Sequence, residues 1–223
     1  MLRKTLQPTR VTLGDNGKFG KRHIVSVSLN KFDLRTPATA STTAISAAVT
    51  GNSSTAVNTP LNVELPQPRS ITVTAGGTAA SIAATAVVVN GLNVEGKPIS
   101  ESLTPTAGTA GTLSGTKAFA VVTDFTVPKQ SGAGATFSVG TGLNFGLSSR
   151  NLSVTQVKLY KQVVASGAQS LVSPGSTNFS TTNVEDNWVT LDVTPSGLSR
   201  YRAYALNYNW HLNPTNDQPN YGV

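Results

Sequence analysis

Apolar positions recur at every second residue along much of this chain, in short runs divided by glycine, proline and threonine. The pattern is densest over residues 71–142, where runs at 71–74, 85–89, 99–103, 117–122, 125–127 and 135–139 follow one another. A period of two sends successive side chains to opposite faces of an extended backbone, so each run predicts a half-buried strand. Turns are predicted at 75–78, at Asn90-Gly91, and at 95–98, 107–111 and 131–134, the spacing of an all-β sandwich. These strands, from residue 69 to 147, are predicted to close one small core. Phe119, Phe125, Phe137 and Phe145 fall where core residues belong.

The flanks repeat the pattern less regularly. Residues 23–29 read as a strand preceded by the turn signal Gly14-Asp15-Asn16-Gly17, with residues 10–13 as the first arm of a hairpin. Residues 36–59 are nearly all Ala, Ser, Thr, Gly and Asn and predict an extended connector or weak strand. Pro60, Pro66 and Pro68 would hold residues 61–65 at a sheet edge and set a domain boundary near residue 65. Beyond residue 153 strands are predicted at 154–160, 188–193 and 200–210.

Alternation in the last strand puts Tyr201, Ala203, Ala205, Asn207 and Asn209 on one face. Arg200, Arg202, Tyr204, Leu206, Tyr208 and Trp210 take the other, rich in aromatics. Such a strand either closes the sheet that begins with residues 23–29 or pairs with a neighbouring chain. Residues 213–221 read as a tail that orders only on a partner. The expected architecture is all-β: an antiparallel β-sandwich module at 69–147, with β-rich flanks at 1–68 and 148–223 that end in extended N- and C-terminal arms. Residues 1–35 and 150–223 are expected to form one sheet-based domain into which the module at 69–147 is inserted.

Composition narrows the chemistry. With 223 residues the chain is long enough to bury a core without staples, and it has no cysteine, so disulfides, thiolate metal sites and a cysteine nucleophile are excluded. Only 12% of residues are charged, and Thr, Ser, Ala, Val and Gly dominate, which favours strands over helices. Residues 1–10 lack the apolar stretch of a secretory signal, and no long uncharged apolar run predicts a membrane span; the expectation is a soluble product made in the cytoplasm. The Asn-x-Ser sequons at Asn52, Asn151 and Asn178 fit chance in a serine-rich chain.

Most of the net charge of +7 belongs to the first 35 residues, where Arg3, Lys4, Arg10, Lys18, Lys21, Arg22, Lys31 and Arg35 face only Asp15 and Asp33. This basic arm suits an acidic protein neighbour, a solvated face or nucleic acid. With only Phe19 and Phe32 nearby it lacks the aromatic platform that stacking on single strands requires, which makes nucleic acid the least favoured.

Catalytic signatures are sparse. His23 and His211 are the only histidines, and neither has a Glu or His four residues on, so no zinc motif is present. Ser114 and Ser131 lie in glycine-rich loops with no helix to follow, unlike a nucleophile elbow. Glu185 and Asp186 are adjacent, which on a strand points them apart, against a glycosidase pair. Residues 140–146 are glycine-rich but lack the P-loop lysine and helix, and are read as a turn ending a strand. No calcium-loop spacing occurs. No cofactor or metal and no enzymatic activity are expected.

Four phrases, at residues 71–74, 91–101, 107–119 and 134–142, resemble a β-sandwich, immunoglobulin-like module of virion structural proteins of tailed bacteriophages. The resemblance covers about a third of the chain. It implies a virion location and other virion proteins as partners, at a capsid decoration or cement position, with a neck or tail station as the alternative. Docking would use the terminal arms, through Arg3, Lys4, Arg10, Lys18, Lys21 and Arg22 at one end and Tyr204, Tyr208 and Trp210 at the other. A homo-oligomer is expected from the terminal strand and tail. The rival reading is a carbohydrate- or receptor-binding module with Tyr201, Tyr204, Tyr208, Trp188 and Trp210 as its platform.

Overall fold

The computed structural model describes residues 24–148, 157–180, 182–191, 195 and 197–211. Among the described residues thirteen strands follow in chain order: β1 (Ile24–Arg35), β2 (Ser41–Thr50), β3 (Val57–Gly77), β4 (Val87–Leu92), β5 (Pro98–Leu103), β6 (Gly111–Ser114) and β7 (Phe119–Val127) come first. Then come β8 (Ala135–Gly146), β9 (Val157–Val163), β10 (Gln169–Val172), β11 (Thr177–Asn178), β12 (Trp188–Val189) and β13 (Ser199–His211). All pairings are antiparallel. The expected all-β class therefore holds, and the sheets pack on one another. Among the described residues no helix is long and apolar enough to cross a membrane.

The strands form a four-stranded sheet in the order β1-β13-β9-β10 and a nine-stranded sheet whose main path is β11-β12-β8-β3-β7-β4-β5. β2 joins the large sheet on β8, and β6 joins it on β3. The long strand β3 is its spine. β7 pairs it between Val57 and Arg69 and β6 between Thr72 and Ala75, while β8 runs along it from Arg69 to Gly77. Register shifts between Pro60 and Val63 and again between Glu64 and Arg69 bend the spine.

Ile45, Ile71, Val73, Val87, Val89, Phe119, Phe125 and Phe137 from β2, β3, β4, β7 and β8 meet in one buried cluster. Side chains on a single sheet reach full burial only when that sheet folds over them, and the bent spine does this. The four predicted core phenylalanines are all fully buried. A second cluster joins the two sheets: Phe145 and Leu147 of the large sheet's side meet Leu34, Leu159, Tyr201, Ala203 and Ala205 of the small one.

Several local expectations are corrected. Pro60, Pro66 and Pro68 do not interrupt β3, which runs straight through them. Before Arg69, among the described residues, β3 pairs with β7 alone, so this stretch has an open edge of the kind that tolerates proline. Asn90-Gly91 is no turn but lies inside β4, opposite Ser100 and Ile99, and a Cβ at Gly91 would strike the Val121 carbonyl oxygen. The two predicted runs at 117–122 and 125–127 belong to one strand, β7, along which β4 pairs, with Asp124 on the far face accepting from Asn90 Nδ2 at 2.7 Å. Residues 140–146 continue β8, where Gly140 admits the close backbone of β2. β2 itself is a full strand on β8 where a connector or weak strand was expected.

What fixes the small sheet against the large one is a pair of polar residues on the core face of β3. Gln67 and Arg69 continue the alternation of Leu61, Val63 and Leu65 and are buried. Gln67 Nε2 donates to the Leu34 carbonyl at 2.7 Å. Arg69 donates through Nε (2.9 Å) and Nη2 to the Gly142 carbonyl, and through Nη1 to that of Ala38 at 3.4 Å. Its guanidinium lies 4.8 Å from the centre of the Phe145 ring. Burial pulls the Arg69 pKa down to about 10, so the cation persists at neutral pH, held by carbonyl dipoles and a ring face. These contacts tie the 34–42 segment, which links the sheets, to the spine.

Candidate functional site

Alternation along β13 settles which of its residues face the core. Tyr201, Ala203 and Ala205 are buried against the large sheet, and Arg200, Arg202 and Tyr204 stand on the opposite, outer face. The register of the neighbouring strands then builds that face in rows. One row is Lys31 of β1, Tyr204 of β13 and Lys158 of β9, so a tyrosine is flanked by two lysines. The next is Asp33, Arg202, Tyr160 and Leu171, running across all four strands. Arg200 begins a third, opposite Gln162.

The rings of Tyr160 and Tyr204 meet edge to face, centroids 5.4 Å apart at 86°. Tyr160 and Leu171 are exposed, at 39% and 58% of their full area. Lys31, Lys158, Arg200 and Arg202 against Asp33 give the face a net charge of +3. Arg202 Nε is buried with no hydrogen-bond partner.

One ion pair is internal to the face. Arg200 donates through Nε (3.1 Å) and Nη2 to the two carboxylate oxygens of Asp33, and that hydrogen bonding holds the Asp33 pKa below its ordinary 3.8. A depressed carboxylate pKa adds stability above the unfolded value and loses it as pH falls through the folded one. Both groups are largely solvated, so the pair contributes only about 0.2–1 kcal/mol. Arg200→Ala is therefore expected to lower the urea midpoint slightly at pH 6–7, with the gap to wild type closing below about pH 4; a gap that persists at pH 2.5 would assign the effect to packing instead.

The remaining described carboxylates are largely engaged in holding turns. Glu101 Oε1 accepts from the Thr116 amide at 2.6 Å and the Lys117 amide at 3.4 Å. Glu185 accepts from Asn93 Nδ2 at 3.1 Å, and Asp186 from Asn183 Nδ2 at 3.0 Å. Asn93 Oδ1 takes the Glu95 and Lys97 amides, and Lys97 reaches Glu95 at 3.1 Å. Among the described residues no three His, Cys, Asp or Glu side chains gather as metal ligands would.

Of the residues singled out in the sequence, Tyr204 lies at the centre of the outer face. Tyr208 and Trp210 occupy β13 positions paired with Val27 and Val25 of β1. Arg3, Lys4, Arg10, Lys18, Lys21 and Arg22 lie outside the described residues, as do the predicted hairpin arm at 10–13 and the tail at 213–221. The proposed sugar platform is not assembled: Tyr201 is in the core with 2% of its area exposed, and Trp188 is half-buried on β12 in the other sheet, its Nε1 enclosed. Lys158 and Tyr160 went unnoticed as site residues, and Lys31 was read only as part of the basic arm, because only strand register brings the three beside Tyr204. The one signal for Lys158 and Tyr160 was their shared parity within the 154–160 run. Comparison with protein-family models, with curated proteins and with solved structures returned no match.

Proposed function

We propose that this protein is a non-enzymatic structural component of a tailed-phage particle, a capsid decoration or cement protein that docks on an acidic neighbouring protein. The observation that carries the reading is the outer face of the four-stranded sheet, where four cations surround a tyrosine pair and an exposed leucine with a single carboxylate among them. Interfaces of this composition, with aromatic residues and arginine at the centre and charge around them, gain orientation and association rate from charge complementarity. The face stands on a sheet braced by the Gln67 and Arg69 contacts, so little ordering is needed on binding. The phrases at 71–142 that resemble virion modules support the same reading, and a neck or tail station is the alternative within it.

A glycan platform needs open ring faces. Tyr160 and Tyr204 instead present an edge-to-face pair, which favours a protein surface.

The test is to locate the tagged protein by cryo-electron microscopy in particles of the phage that encodes it. Density over the head lattice is expected, label at one vertex or along the tail would move the station, and absence from particles would overturn the reading. The double variant Lys31→Glu/Lys158→Glu, at two exposed positions beside Tyr204, is expected to drop out of particles while its far-UV spectrum and melting curve stay those of the wild type.

A further inference from the structure

Of the two arginines that β13 sends to the outer face, one has its carboxylate and the other does not. Asp33 of β1 stands directly opposite Arg202, the placement that ordinarily makes a cross-strand ion pair. Both of its oxygens are nevertheless taken from the diagonal by Arg200, through Nε at 3.1 Å and through Nη2. Oδ1 also accepts the Arg35 amide at 3.0 Å, so three donors share this one side chain. Arg202 keeps a through-space attraction to Asp33 and no hydrogen bond to it among the described residues.

Nothing else around Arg202 supplies an acid. Opposite it on β9 is Tyr160, the next outward residue along its own strand is Tyr204, and the diagonal positions are the exposed Lys31 and Lys158. Every other described carboxylate belongs to the large sheet or its connections. The Arg202 side chain is half-buried, and its Nε is enclosed without an acceptor. A cationic donor withdrawn from water and left unpaired is uncommon in a folded chain and costs stability until an anion meets it.

We infer that Arg202 is a carboxylate seat and the anchor of the outer face: it receives an aspartate or glutamate side chain of the docking partner, side-on, in the mode that Arg200 uses on Asp33 two residues away. The edge formed by Nε and Nη2 matches the two oxygens of a carboxylate, and a lysine cannot reproduce it. Tyr160 is 39% exposed and meets Tyr204 edge to face, so it can turn as the acid enters and then shield the new pair from water.

Charge selects the occupant. Four cations share a single carboxylate that is already saturated, so an acidic side chain gains at this point, while an apolar or basic segment would leave the face's charge buried and unpaired. A nucleic-acid phosphate fits the same arginine edge. It brings bases that stack on open rings, and the tyrosine pair is closed edge to face.

The inference rests on the docking reading and adds the atoms that the partner's acid meets, so two measurements keep them apart. In the first, the arginine Nε–Hε signals of the isolated full-length protein are followed by nitrogen–proton NMR while sodium acetate replaces sodium chloride at fixed ionic strength. The Arg202 signal, identified by its absence from Arg202→Lys, is expected to move downfield and saturate, and that of Arg200, already bonded to Asp33, to move much less. Dimethyl phosphate, a monoanion like acetate, is expected to move it less. An unmoved Arg202 signal would overturn the inference, and an equal or larger response to dimethyl phosphate would overturn the choice of carboxylate.

In the second, purified protein is added back to particles made without it. Arg202→Lys keeps the charge and loses the side-on pair, so the apparent dissociation constant is expected to rise by about tenfold or more while its dependence on salt stays that of the wild type. Equal rebinding by Arg202→Lys and wild type would overturn the anchor and leave docking standing. Failure of the wild type to rebind would overturn docking, with the acetate titration still deciding the seat.

Discussion

Arg69→Ala is expected to destabilise the protein by about 3–5 kcal/mol, the range for disrupting a buried, hydrogen-bonded charge site. At ~2–4 °C per kcal/mol for a chain of this size, the melting temperature falls by roughly 6–20 °C. Truncation strands the Gly142 carbonyl, removes the donor to Ala38 and opens a cavity beside Phe145, where the two cores approach each other. Arg69→Met separates these causes. It fills much of the volume and removes the cost of burying a charge, leaving only the unpaired carbonyls, so a loss of about 1–3 kcal/mol is expected. Urea unfolding of the two variants checks both figures. An Arg69→Ala loss below about 1 kcal/mol would mean that the 34–42 segment is held by something else.

Gly140→Ala carries the second large effect. A Cβ on Gly140 would overlap the Ser41 carbonyl oxygen and press on the carbonyl carbons of Ser41 and Thr42. These are backbone atoms and cannot rotate away, so β2 must retreat from β8. Its retreat breaks the bonds from Thr72 Oγ1 to Ser41 O (3.2 Å) and from Ser138 Oγ to Thr42 O (2.8 Å), and draws Ile45 out of the core. The expected loss is about 3 kcal/mol, at the upper end for overpacking. Hydrogen exchange gives the local signature: amides of β2 lose protection, while those of β4, with three strands between them in the sheet, keep theirs. Gly111→Ala is the control, since a Cβ there meets nothing within 4 Å, and it is expected to change stability by less than about 0.5 kcal/mol. Uniform loss of protection would show that β2 is no separable unit.

The alternating runs made the class of fold legible, and they did so most reliably where one face is apolar. Tyr201, Ala203 and Ala205 were assigned to one side of β13 from parity alone, and that side is the core. Where the pattern misled, a local signal was outvoted by a neighbour. Asn90-Gly91 is a strong turn signal, yet the close approach of the Val121 carbonyl requires a glycine inside a strand. Gly140, Gly142 and Gly146 answer to the same kind of crowding, by β2, by Ser70, and by Ala118 and Pro68 respectively.

The cationic outer face was half legible. Tyr204 and Arg202 shared a parity in one run, but Lys31 lies more than 170 residues earlier in the chain, and only the β1–β13 register sets it opposite Tyr204. Nor did any pattern announce Arg69 as a joint, because a lone arginine after a proline-rich stretch reads as surface.

The pairing of β1 with β13 also fixes an order of events during synthesis. About 160 residues separate the end of β1 from the start of β13, and closing a flexible loop of that length first would cost about 4–5 kcal/mol. The large sheet lies wholly between them in the chain and shortens that gap by folding. At ~5–20 residues per second, β1 waits on the order of ten to thirty seconds at the ribosome for its partner strand. From their own synthesis until β13 emerges, Phe145 and Leu147 lack the cover that Tyr201 and Ala203 later provide. The row of Lys31, Tyr204 and Lys158 does not exist until β13 has been made, so an incomplete chain lacks the cationic outer face altogether.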